Sequence, residues 1–148
     1  MTEQYDVAAA RHHRVAEHLE MNGEIDDAAY HYGLVGENAL KYALCKSGVA
    51  GVWNGARMKP RNTPMGKHLP SLTSAIQGFI TDIQLHAVGR VGAELQAVVG
   101  DPAFVSRFQG WSLDIRYADH TCTPVSLVDC QRWSLDADLV LRRLVLMI

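Results

Sequence analysis

An all-α fold, an up-and-down bundle of four or five helices in a single domain over residues 1–148, is what the sequence predicts. Two observations carry that prediction. Small and apolar residues recur at steps of three and four along most of the chain, which is the helical period. The short β-rich runs, Val125-Ser126-Leu127-Val128 and Leu139-Val140-Leu141, fall inside the same periodicity, so no strand pair stands out. With 148 residues, 48% hydrophobic and 20% charged, the chain can bury one core and is short for two.

The first helix is predicted from about Tyr5 to Met21, with Tyr5, Ala8, Ala9, His12, Val15, Ala16 and Leu19 on one face. Asn22-Gly23 tolerates a left-handed C-terminal cap, and Glu24, Asp26 and Asp27 place negative charge at the next helix start. A helical hairpin follows. The second helix is predicted from about Glu24 to Lys46, with Ile25, Ala28, Ala29, Tyr32, Val35, Gly36, Ala39, Leu40 and Ala43 inward. Gly33 and Gly36 point to a close approach by a neighbouring helix. Six glycines and prolines between Ser47 and His68 predict the main loop, and its Arg57, Lys59, Arg61 and Lys67 make it the most basic segment, open to solvent or to a phosphate.

A third helix is expected from Pro70, with Leu72, Ala75, Ile76, Phe79, Ile80 and Ile83 buried, continuing with interruptions at Gly89 and Gly92 to Val99. After an irregular passage around Phe104, Phe108 and Trp111, Thr123-Pro124 reads as the cap and first position of the last helix. That helix carries Leu127, Cys130, Ser134, Ala137, Leu141, Leu144 and Ile148 on one stripe. Val128, Leu135, Leu139 and Val140 widen it beyond what one neighbour covers.

The composition excludes several classes. The net charge of −2 argues against a surface wholly given to nucleic acid. The opening Met1-Thr2-Glu3-Gln4-Tyr5-Asp6 lacks the basic and apolar regions of a signal peptide, and no apolar run reaches membrane-spanning length, so a cytoplasmic protein without a membrane partner is expected. Cys45, Cys122 and Cys130 form no Cys-x-x-Cys pair and are read as reduced and mostly packed. Adjacent His12 and His13 point about 100° apart on a helix and no His-Glu-x-x-His occurs, so no metal is expected. Phosphate-loop and nucleophile-elbow glycine patterns are absent, and no cofactor is expected.

The remaining candidate is Asp114-Ile115-Arg116-Tyr117-Ala118-Asp119-His120. Arginine offers a fixed fork for phosphate oxygens and histidine exchanges a proton near neutral pH, which suits metal-free RNA cleavage. An ion pair of Arg116 with Asp114, Asp119 or another carboxylate accounts for the same cluster equally well.

Ala8-Ala9-Ala10-Arg11-His12-His13, Asp27-Ala28-Ala29-Tyr30-His31-Tyr32, Glu37-Asn38-Ala39-Leu40-Lys41, His68-Leu69, Arg116-Tyr117 and the long final helix follow one another over most of the chain. In that order they resemble the HEPN domains, small helical bundles associated with prokaryotic nucleotidyltransferases, toxin systems and RNA processing. The resemblance implies a homodimer with a shared cleft near the last helices. It also implies a toxin or defence role as a metal-independent ribonuclease, with Arg116 and His120 catalytic, Tyr117 positioning, and Glu37, Asn38 and Lys41 lining the same cleft. A nucleotidyltransferase-type antitoxin would be the partner. Nuclease members place four to six residues between the arginine and the histidine, whereas three separate Arg116 from His120. Non-catalytic members keep the fold without that pair, so the alternative is a module binding a nucleotide or a partner protein.

Overall fold

A computed structural model describes residues 4–55, 59–117 and 124–148. Among the described residues the chain is all-α, with no strand. The described residues form seven α-helices: α1 (Tyr5–Met21), α2 (Ile25–Lys46), α3 (Val49–Gly55), α4 (Ser71–Gly78), α5 (Ile80–His86), α6 (Gly89–Gly100) and α7 (Leu127–Val140). The expected third helix is divided into α4, α5 and α6. Phe79 caps α4 and precedes α5, and Ala87 and Val88 are extended ahead of Gly89, whose φ of 75° suits glycine. The region read as one loop carries α3 and two single 3₁₀ turns, Pro60–Asn62 and Pro64–Gly66.

The α1–α2 hairpin forms as its sequence dictates. Gly23 takes φ 78°, its N–H bonds to the Glu20 carbonyl, and the Glu24 N–H bonds to the Leu19 carbonyl at 2.9 Å. These paired bonds satisfy carbonyls that the end of α1 would otherwise leave open. Helix α2 is the spine of the molecule. It packs against α1, α3, α6 and α7, and its inward residues from Ala28 to Leu44 are almost wholly buried.

The glycines of α2 serve a different neighbour from the one expected. The indole of Trp111 lies over Gly33 and the ring of Phe108 over Gly36, so a Cβ at either position would sit closer than 3.0 Å to ring atoms. Both rings are fully buried, and Trp111 Nε1 donates to the Ala29 carbonyl at 2.9 Å. The segment that carries them is also tied to α7. Asp136 accepts from Arg107 Nη1 and from the Phe108 N–H, each at 2.9 Å, which holds Phe108 at the uncommon φ of 58°.

Helix α7 is capped by Ser126, whose hydroxyl accepts from the Asp129 N–H at 3.1 Å; residues 124–126 precede the helix and Thr123 lies outside the described residues. Beyond Val140 the helix widens into π-helical turns over Leu141–Leu146. The middle of the expected stripe is buried at Cys130, Ala137, Leu141 and Leu144, but its ends, Leu127 and Ile148, are exposed. Trp133, not foreseen as core, is buried and donates to the Gln109 carbonyl.

Candidate functional site

Where the start of α1 runs beside the second half of α2, a cavity of about 770 Å³ opens. Tyr5, Ala8 and Arg11 of α1 face Glu37, Asn38 and Lys41 of α2, and Met65 and His68 close one side. Glu37 and Lys41 are one helical turn apart, so their side chains meet on the same face. Lys41 Nζ donates to Glu37 Oε1 at 2.9 Å, and both residues are only 7% exposed. Such a buried pair needs further hydrogen bonds to offset its desolvation. His68 supplies one, its Nδ1 lying 2.8 Å from the same Glu37 oxygen. Glu37 Oε2 is buried without a hydrogen-bond partner among the described residues.

The geometry fixes the imidazole. A carboxylate oxygen accepts, so Nδ1 of His68 is the donor in this contact. The His68 side chain is 58% exposed while its carboxylate is held in the interior. Asn38 donates back to the Leu34 carbonyl of its own helix at 2.7 Å, leaving its side-chain oxygen at the cavity. An imidazole, two cationic side chains, a carboxylate and an amide therefore converge on one opening.

The predicted site residues do not all meet here. Glu37, Asn38 and Lys41 line the cavity, but Arg116 and Tyr117 lie in the 3₁₀ turn Leu113–Tyr117, from which no residue lines it. Within one copy of the chain the two groups of residues therefore lie apart. Trp111, bonded to Ala29, and Val125, whose N–H donates to Asp26 at 2.6 Å, pin that stretch to the first turns of α2. Glu37 is eight residues beyond Ala29, roughly 12 Å further along the helix. Arg116 and Tyr117 are exposed, with the guanidinium carbon 4.7 Å from the Tyr117 ring centre. No carboxylate among the described residues pairs with Arg116; His120 and Asp119 lie outside them.

The basic loop contributes differently from its charge. Lys59, Arg61 and Lys67 do not line the cavity, whereas Met65 and His68 do; Arg57 lies outside the described residues. The role of His68 had one sequence signal: Glu37 and Lys41 interrupt the inward face of α2, and charges on a buried face require partners. The cysteines differ from each other. Cys45 is exposed, against the packed expectation, and Cys130 is buried, its thiol pushed up to about 11 first by burial and then by Glu20 and Asp26. Cys122 lies outside the described residues. No group of three or more metal-ligating side chains converges, and no helix is long and apolar enough to cross a membrane, both among the described residues.

Comparison of the chain with protein-family models, with curated proteins and with solved structures found no match.

Proposed function

We propose that this chain is a HEPN-like module that binds the phosphate of a nucleotide or RNA strand in the cavity between α1 and α2. The observation that carries the reading is the convergence of Arg11, Lys41 and His68 on a cavity of about 770 Å³, with a buried carboxylate holding two of the three in place. A lysine and an imidazole held by one buried carboxylate, with an arginine beside them, suit a compact anion at a concave opening, and an arginine fork suits phosphate oxygens. Arg11 is exposed and outside the buried pair, so its removal leaves the fold intact. Arg11→Ala should weaken binding of a single-stranded RNA oligonucleotide by about tenfold and reduce the salt dependence of binding by roughly one phosphate contact, as read in a fluorescence titration. Unchanged affinity and salt slope would reject the site.

A second reading keeps the ribonuclease of a toxin or defence system at Arg116 and His120, with a nucleotidyltransferase-type antitoxin as partner. One observation favours it: Arg116 is exposed, with its guanidinium over the Tyr117 ring and no ion pair to a carboxylate among the described residues. The homodimer belongs to both readings. Leu127, Val128 and Leu135 on α7 are 54%, 73% and 73% exposed and fall within about a 100° arc, an apolar face suited to a second copy.

A further inference from the structure

We infer that binding of a phosphate in the cavity between α1 and α2 is coupled to uptake of one proton by His68, so that this imidazole sets the charge of the site and gates it by pH. The inference rests on the proposed binding of a phosphate there and names the regulation of that site. The charged side chains that line the opening are Arg11 of α1, Glu37 and Lys41 of α2, and His68 itself. Tyr5 is the other ionisable residue of the lining. Lys67, next to His68 in the chain, does not line it, and helix α4, which begins at Ser71, carries no ionisable side chain.

Two of these charges cancel. Glu37 Oε1 accepts from Lys41 Nζ at 2.9 Å, and Glu37 Oε2 is buried, so the carboxylate turns no bare oxygen to the opening. An arriving anion therefore meets Arg11 together with the state of one ring. That ring is exposed and anchored by one nitrogen, its Nδ1 lying 2.8 Å from Glu37 Oε1. While Nδ1 donates to this oxygen, a neutral ring has only a lone pair at Nε2, and a lone pair repels a phosphate oxygen. The imidazolium donates from both nitrogens, so it keeps the contact with Glu37 and adds an N–H and a positive charge. One proton thus turns the second nitrogen from an acceptor into a charge-assisted donor. Linkage is reciprocal: a bound phosphate also holds the proton on His68. Affinity rises as pH falls through the range in which imidazoles titrate, by at most about tenfold per pH unit for one proton.

The test titrates an oligothymidylate carrying a pH-insensitive dye between about pH 8 and pH 5, the window in which imidazoles change charge. Neither thymine nor a phosphodiester titrates there, so a proton taken up belongs to the protein. Wild type should gain at least about fivefold in affinity across the window. Calorimetry in buffers of different ionisation enthalpy should show proton uptake on binding, a readout that needs no variant. His68→Gln keeps an amide beside Glu37 without a titrating nitrogen; it should bind within a fewfold of wild type at the alkaline end and stay flat, with helicity checked by circular dichroism at each pH. His12, next to Arg11 in the chain, does not line the cavity, and its own titration persists in that variant. Arg11→Ala should weaken binding at every pH and keep the slope. If wild type binds at no pH, or Arg11→Ala binds as well as wild type, the phosphate reading and this inference fall together. If binding takes up no proton and does not change with pH, or His68→Gln keeps the wild-type slope, the inference alone is overturned.

Discussion

His12 and His31 meet across the α1–α2 hairpin with their Nδ1 atoms 2.9 Å apart and their rings 5.1 Å between centres. One nitrogen must donate and the other accept, so the contact exists only while at least one ring is neutral. Burial holds both imidazoles below the usual value of 6.5; the neighbouring histidine and Arg11 lower His12 further, while Asp27 opposes the shift on His31. A base whose folded value is depressed binds protons more readily when unfolded, so stability is intact above 6.5 and falls as pH drops through the window beneath it. Urea midpoints taken between about pH 8 and pH 5 should therefore decline, and His12→Gln should flatten that decline relative to wild type. Equal slopes in the two proteins would place the pH sensitivity elsewhere. The same residue-scale logic explains what sequence alone reveals of the cavity. Glu37 and Lys41 are visible as charges on an inward helix face, but the partner that reaches them, His68, sits 31 residues along the chain from Glu37 in a segment with no period to read.

At the scale of elements, the close approaches to α2 are made by rings rather than by another helix. Gly33→Ala would drive a methyl group into the Trp111 indole, which is buried on its other sides and bonded to Ala29. Overpacking of this kind costs about 1–3 kcal/mol, and chemical denaturation should show a loss in that range. A change near zero would mean that the indole swings clear. Gly51→Ala, where nothing lies within 4 Å of the added carbon, is the matched control on α3. Helices α1, α2 and α7 were legible because each runs at least 14 residues with a sustained apolar face. The stretch from Ser71 to Gly100 was legible as helical but not as three pieces. Its interruptions fall beside Gly78, where α4 ends, and Gly89, where α6 begins at a positive φ; the second was marked by its glycine, whereas Gly78 lies inside an apolar period that runs on through Ile83. The cap of α7 shows competition between signals. Thr123-Pro124 and Ser126 both carry capping chemistry; the Ser126 hydroxyl accepts from the N–H three residues on, and Thr123 lies outside the described residues.

For the whole molecule, the surface of α7 raises the question of assembly. Leu127, Val128 and Leu135 are more exposed than their apolar area favours. If they form a contact between copies, light scattering should give twice the chain mass of 16.3 kDa, and Leu135→Glu should return it to a single mass while helicity is kept. A wild-type mass of 16.3 kDa at tens of micromolar would leave that face without a second copy. The tethers on α2 have another consequence, concerning the order in which the chain assembles. The α1–α2 hairpin closes through the bonds of Gly23 and Glu24, over a handful of residues, whereas Trp111 reaches Ala29 across 82 positions and Val125 reaches Asp26 across 99. Loop-closure entropy grows with the length enclosed, so those two tethers are unfavourable until much of the intervening chain has condensed. The indole that settles onto Gly33 is therefore a latch, engaged after the helices beneath it exist, and the turn bearing Arg116 acquires its place only when that latch is shut.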